Sequence, residues 1–405
     1  MLDPEYLRHI TDRAEENASR LHNWIISKII ERMTHRFDRG DPNMFTSIDD
    51  IQITVLQEAG ELLEDIQAEI SRRTGLQEEI IADSMEEACI KTLEVEDKVY
   101  SDTGLSPTPL KQSPEMLRQM QRAYEATNNE MKNLTHTTAE AAQNRFIEEC
   151  DDAYNKVLSG AQGYSQACTE AIENIAKDGV RIEYPTGHSD TVETATLRAV
   201  RTGISQATGD ITMLRLQEMG WDLIRTSAHY GARIGDGGEN PGNHSWWQGK
   251  LFTRTGESIY PDFVKSTGYG TIEGICGVNC RHSFGAGSED YNPYPDIDSE
   301  ENARIEKINK QMRAYERRLR KTKRELLAYS TAIDNTRDEQ MKFELQQKYD
   351  KKANLLRMQN QAYKEYCEEN KVNTLQERTK IAEWNRQEAA RANGGAKRYK
   401  NAKKD

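Results

Sequence analysis

From Glu5 to Phe37, the apolar residues Leu7, Ile10, Ala14, Leu21, Trp24, Ile25, Ile29 and Met33 recur mostly every three or four positions, the spacing of one helix face. Asp3-Pro4 supplies a cap and a first-turn proline. The stretch Asp38-Arg39-Gly40-Asp41-Pro42-Asn43 predicts a break, and Thr46-Ser47-Ile48-Asp49 opens a second helix to about Arg73, which Gly75 ends. The same pattern predicts helices over about 77–99, 114–134, 137–158 and 164–177, joined by Ser/Thr/Gly/Pro-rich links. Residues 1–178 therefore read as an all-helical domain, with no fixed-period repeat that would mark a solenoid.

After Asp178-Gly179, residues 180–185 alternate as a strand does, Thr191 to Met219 returns to helical spacing, and Trp221 to Ser227 reads as a second strand. Half of the chain's 26 glycines lie in residues 231–296, which predicts a turn-rich fold. Residues 179–298 thus form a small mixed α+β domain. Beyond Pro295, Ile305, Met312, Leu319, Leu326 and Ile333 stand at strict seven-residue spacing, with Ile308, Tyr315 and Tyr329 on the alternate seam position. Asp334-Asn335-Thr336 interrupts this seam, and Leu345, Tyr349, Leu356, Tyr363 and Tyr366 make a second one. A basic helical hairpin or coiled coil over 299–391 follows, with 392–405 as a disordered basic tail. The fold class is mainly α.

Composition agrees with extended helices: 36% of residues are hydrophobic and 30% charged, which leaves much surface in water. The longest hydrophobic run, 326–329, is far shorter than the roughly 20 residues that span a bilayer, so no membrane helix is predicted. The N-terminus lacks the pattern of an export signal, which predicts synthesis and residence in cytoplasm. Six scattered cysteines are too few for a disulfide scaffold. The net charge of −12 is polarised: residues 301–405 carry 27 Lys and Arg against 16 Asp and Glu, so the excess of acid lies entirely before residue 301. Such asymmetry suits either an acidic partner for the tail or an acid–base contact within the chain.

The unusual side chains concentrate in 227–282: Ser-Ala-His-Tyr-Gly-Ala-Arg (227–233), His-Ser-Trp-Trp-Gln-Gly-Lys (244–250), Gly-Tyr-Gly (268–270) and Gly-Ile-Cys-Gly-Val-Asn-Cys-Arg-His (274–282). Cys276, Cys280 and His282, with His229 or His244, are the residue types a structural zinc prefers. The alternative is a small core of Trp246, Trp247, Phe252 and Tyr269, with both cysteines as buried thiols and the histidines bonded to backbone. A catalytic reading makes His229 or His282 a general base, with Arg233 or Arg281 stabilising an anion. No nucleophile motif, phosphate loop or paired-carboxylate signature accompanies them, so no enzyme is expected. In the tail, Lys397, Arg398, Lys400, Lys403 and Lys404 are candidate phosphate contacts.

These four blocks, in this order, resemble the minor capsid proteins of tailed phages that infect Gram-positive bacteria, a family related to the Mu F-like head morphogenesis proteins. The blocks are Ala228 to Arg233, His244 to Lys250, Gly268 to Gly270 and Cys276 to His282, with Arg233, His244, Trp247, Gln248, Gly249, Tyr269 and Arg281 as motif positions. The likeness extends more loosely to Gln359-Asn360-Gln361 with Tyr363 and Tyr366. One departure is the link Ile234 to Asn243, longer than the family's and holding Pro241 and four glycines. The resemblance implies a structural virion component, made in the host bacterial cytoplasm and joined to portal or inner capsid during head assembly. Packaged double-stranded DNA is a further expected partner, no membrane is involved, and a homo-oligomer is compatible with the heptads. The rival expectations are a metal-dependent hydrolase or nuclease centred on 229–282, and a DNA-binding assembly factor that leaves before the head matures.

Overall fold

The computed structural model describes residues 2–39, 48–184 and 187–403, and the fold is mainly α, with only small sheets. The expected break at 40–43 and the cap at Thr46-Ser47 lie outside the described residues. In chain order the helices are α1 (Pro4–His9), α2 (Asp12–Arg39), α3 (Ile48–Asp102), α4 (Pro114–Leu158), α5 (Tyr164–Asp178), α6 (Val192–Glu218), α7 (His244–Trp247), α8 (Phe263–Thr267), α9 (Ser299–Asn335), α10 (Glu339–Glu369) and α11 (Arg386–Asn401). The strands are β1 (Arg181–Glu183), β2 (Ser189–Thr191), β3 (Leu223–Thr226), β4 (Leu251–Thr253) and β5 (Phe284–Ala286).

Several expected helix ends are absent. Helix α3 runs through Gly75, because a glycine inside a helix costs only about 1 kcal/mol and the helix buries Leu62, Ile66, Ile80 and Ile81 on either side of it. Helix α4 likewise passes the Ser/Thr-type joint expected near 135, where the hydroxyls of Thr137 and Thr138 donate to the carbonyls of Asn133 and Leu134 four residues back. Conversely, the first predicted helix divides at residues 10–11 into α1 and α2.

The tail expected to be disordered from 392 is helical to Asn401. The Asn385 side chain caps α11 by accepting from the Gln387 and Glu388 N–H groups. Gly395 breaks nothing: a Cβ there would meet Tyr349 Cε1 at 3.0 Å and Ala353 Cβ at 3.2 Å, so its bareness lets α11 lie close on α10. The linear division at 178, 298 and 391 follows changes in texture along the chain, whereas packing groups the residues into two interleaved units.

The first unit comprises Met1–Glu15, Gly75–Lys132 and Ala195–Lys310. Its sheet has the order β4-β3-β5 with antiparallel neighbours, pairing Ile224 with Phe252 on one side and with Ala286 on the other. Tyr100, Leu216, Trp247, Phe252, Phe263 and Phe284 pack around it in one buried, largely aromatic hydrophobic cluster. Arg215, wholly buried on α6, pairs with Asp97 and Glu218 and donates to the Thr108 carbonyl, which ties α6 to α3 and to the link after it.

The second unit comprises Glu16–Thr74, Asn133–Thr194 and Gln311–Asp405. Its helices bury one apolar stripe each, among them Ile25, Ile29 and Met33 of α2, Leu62 and Ile66 of α3, and Phe146 of α4. The short β1–β2 hairpin belongs to this unit. Helices α9 and α10 turn back on each other through 336–338, where Asp338 caps α10 on the Met341 N–H. Tyr315 of α9 packs against Tyr363 and Tyr366 of α10, and the Tyr363 hydroxyl donates to Glu316 at 2.9 Å. Met312, Leu319, Leu326, Ile333, Leu345, Tyr349, Leu356 and Tyr363, all read as seam residues, are buried.

Candidate metal centre

The signature blocks all fall in the first unit and converge beside its sheet. Strand β3 runs into Ser227, which exchanges hydrogen bonds with Ser283: its N–H donates to the Ser283 carbonyl, and its hydroxyl accepts from the Ser283 N–H. The Thr226 hydroxyl donates to the Trp247 carbonyl at 2.8 Å, fixing the end of α7 against β3. Asn243 caps α7 through its side chain, and Trp247 is completely buried with its indole N–H on the Pro241 carbonyl at 3.0 Å. Pro241 of the long 234–243 link thereby supplies the acceptor for the indole.

The turn carrying Cys276 and Cys280 is tight for a steric reason. A Cβ on Gly274 would meet the Gly268 carbonyl oxygen at 2.1 Å, and one on Gly277 the Ile272 oxygen at 2.5 Å, so both must lack a side chain. Cys276 and Asn279 accept left-handed backbone, φ 59° each, as the chain folds around these contacts. Tyr269 closes the segment by donating its hydroxyl to Asp210 of α6.

This path brings His244, Cys280 and His282 together, with one ligand atom from each within 4.8 Å of the others and all three residues buried. Cys280 Sγ stands 3.8 Å from His244 Nδ1 and 3.8 Å from His282 Nδ1. The opposite ring nitrogens face oxygen: His244 Nε2 is 2.9 Å from the Glu273 carbonyl, and His282 Nε2 is 3.3 Å from Gln248 Oε1. Gln248 also accepts the His229 N–H at 3.0 Å. Of the ligands foreseen, Cys280 and His282 therefore belong to this group, and His244 is the third member. Cys276, whose Sγ lies 4.0 Å from the His282 carbonyl, and His229, whose ring stacks on His282 at 4.3 Å, stand next to it without joining it.

Burial dominates the electrostatics. It depresses His244 to about 4 and His282 well below the usual imidazole range, the latter helped by the neighbouring His229, His244, Arg281 and Arg233. It pushes the thiols of Cys276 and Cys280 up. Two neutral imidazoles beside one thiol form a donor set that suits a borderline divalent metal. The alternative small core is present as well: Trp247 and Phe252 are buried, Trp246 and Tyr269 pack against the cluster, and both cysteines are free thiols.

Comparison with known families decides the identity of the chain. The family model described as phage minor capsid protein 2 matches residues 2–368, nearly the whole length. The chain belongs to that family. No curated protein and no solved structure matches it. A minor capsid protein is a structural component of a phage virion, and among the described residues no helix is long and apolar enough to cross a membrane. The match contains the whole of the His244–Cys280–His282 group.

Two of the remaining motif positions, Arg233 and Gly249, make hydrogen bonds within the fold. Arg233 donates to the Val278 carbonyl at 3.1 Å, Arg281 is half-buried at the edge of the cluster, and Gly249 takes positive φ where its carbonyl accepts from Arg225. Asn302 was not legible as a site residue, because it sits in the first turn of a charged helix outside the signature blocks. It is fully buried and grips Ala232 through both backbone groups while donating to Ser245. Among the tail candidates, Lys397 and Lys400 are exposed on α11 and Lys403 is exposed just beyond it. Arg398 instead holds Asp350 of α10 through two hydrogen bonds of 2.7 and 2.8 Å, so its charge is already matched within the chain. Lys404 lies outside the described residues.

Proposed function

We propose that this minor capsid protein acts at the portal or inner face of a tailed-phage head and turns the basic face of α11 toward packaged DNA. The observation that carries the reading is the family match over residues 2–368. Two further observations support its finer parts. The positive excess of the chain is confined to residues 301–405, and Lys397, Lys400 and Lys403 follow at three-residue steps, so they share one side of α11 and its extension. Surface lysines on one face recognise phosphate as point charges, which gives affinity without sequence preference. The burial of the central histidines favours a structural use of that segment over turnover of a macromolecular substrate, which would need access to the rings.

The full chain, mixed with duplex DNA at increasing salt, should bind with an affinity that falls steeply as salt rises. The triple variant Lys397→Ala, Lys400→Ala, Lys403→Ala should lower both the affinity and the salt slope, by up to about three on the logarithmic scale. Salt-independent binding, or none, would remove the DNA role. Co-elution with the cognate portal protein in size-exclusion chromatography, with mass measurement, tests the portal role and the homo-oligomer expectation, and detection in purified virions separates a resident component from an assembly factor that departs.

A further inference from the structure

We propose that Cys280, His244 and His282 bind one Zn²⁺ ion, through Cys280 Sγ and the Nδ1 atoms of both histidines. The argument begins with where the protons must be. A backbone carbonyl only accepts, so the Glu273 oxygen 2.9 Å from His244 Nε2 requires that nitrogen to carry its hydrogen. The amide of Gln248 is oriented by the His229 N–H, which only donates and therefore fixes Oε1 toward itself. That same Oε1 faces His282 Nε2, so this nitrogen also carries its hydrogen. A neutral imidazole whose Nε2 carries the hydrogen has a bare Nδ1 lone pair, and both rings turn that Nδ1 toward Cys280 Sγ.

One thiol proton cannot satisfy two lone pairs. The Cys280 sulfur, 3.8 Å from each Nδ1, leaves at least one buried acceptor without a donor in the metal-free arrangement. A cation at the centre satisfies all three atoms at once. Zinc bonds of about 2.3 Å to sulfur and about 2.0 Å to nitrogen, at tetrahedral angles, place sulfur and nitrogen about 3.5 Å apart. The two sulfur–nitrogen distances of 3.8 Å therefore need a contraction of about 0.3 Å each, and the two ring nitrogens, within 4.8 Å of each other, close to about 3.3 Å. Binding displaces the thiol proton to solvent, so Zn²⁺ and the thiol become a zinc thiolate and a released H⁺, and the site gains one positive charge. The His282 N–H, 3.3 Å from the same sulfur, is placed to stabilise the thiolate.

The outer groups are those that metal-ligating histidines use to hold ring orientation, a carbonyl for His244 and an amide oxygen for His282. The ion would tie α7 to the turn before β5 and hold shut the chain around Trp247, whose ring lies 4.6 Å from His244 and 4.8 Å from His282. Three protein ligands leave the fourth position to water.

The test uses the full-length chain purified without chelators, reconstituted with Zn²⁺ and analysed for bound metal, and in parallel loaded with Co²⁺ for absorption spectroscopy. The expected result is about one Zn²⁺ per chain and, with Co²⁺, tetrahedral visible bands plus a sulfur-to-cobalt charge-transfer band. Cys280→Ser should abolish the charge-transfer band, and His244→Ala should lower bound zinc at least about tenfold at low micromolar free metal. Cys276→Ser and His229→Ala should keep the stoichiometry. Chelation of the wild-type chain provides a readout that needs no variant to fold: proteolysis between 234 and 282 should accelerate and be reversed by added Zn²⁺. Absence of metal after reconstitution overturns the proposal, as does a charge-transfer band that survives Cys280→Ser and disappears in Cys276→Ser.

Discussion

In the α9–α10 hairpin, buried side chains recur at seven-residue steps, and Leu319, Leu326, Leu345 and Leu356 need only be apolar and of suitable volume. Around Trp247, the chain between 221 and 287 has short strands and tight turns, and its stability rests on individual hydrogen bonds: Thr226 to the Trp247 carbonyl, Trp247 to Pro241, and Ser227 with Ser283. The difference is one of redundancy. A long helix satisfies its own backbone and lets many equivalent side chains share the packing, whereas an irregular segment must satisfy its backbone with particular partners, each used once.

The largest expected effect lies in the irregular region. Trp247→Ala should lower stability by about 3–5 kcal/mol, and Trp247→Phe should still cost far more than Leu345→Met, because it removes the indole N–H bonded to Pro241; chemical denaturation of the three variants and the parent measures the contrast. Equal costs for Trp247→Phe and Leu345→Met would erase the distinction. Next comes Leu326→Ala, at about 2–5 kcal/mol for a fully buried leucine, with the cost expected toward the lower end where neighbouring seam residues relax into the space.

Acid probes a point where the helical unit also depends on one particular group. Burial, with Arg324 and Arg181 adding to it, holds His22 at about 3, below the ordinary imidazole value. The unfolded chain therefore binds the extra proton first, and stability present above pH 6.5 is lost progressively as pH falls from 6.5 toward 3. The loss from this residue should be on the order of 3 kcal/mol by pH 4, and His22→Leu should flatten that part of a stability–pH curve. The smallest effect belongs to the exposed end of the helical region. Asn385→Ala should cost about 1 kcal/mol by loosening the α11 cap, and hydrogen exchange should show the change confined to the first turn of that helix.

Legibility follows the same division. The heptad residues of α9 and α10 were readable because their periodicity is the physical cause of their burial. The first helical half was readable as helix but not in its boundaries: Gly75 stops nothing, since the packing on both sides outweighs its propensity. The basic tail misled for a similar reason, as Gly394-Gly395 reads as a break until Gly395 is seen against Tyr349 and Ala353. At the centre, Cys280 and His282 are two residues apart in sequence, and the fold sets Sγ of one 3.8 Å from Nδ1 of the other. The third partner, His244, was one of two candidates, and only the path of the chain decides between it and His229, which takes the stacking position instead.

The sequence by itself determined the helical character, the family and the segment in which the chemistry gathers, because these depend on local periodicity and on contiguous motifs. Tertiary structure decided which residues share a unit, since Met1–Glu15 and Gly75–Lys132 join the glycine-rich segment while the intervening Glu16–Thr74 belongs to the other unit. It also decided which nitrogen of each histidine faces Cys280, through a carbonyl at Glu273 and an amide at Gln248. Such outcomes arise from contacts between residues far apart in the chain, where the geometry of two backbones, and no repeating pattern of side chains, sets the distance.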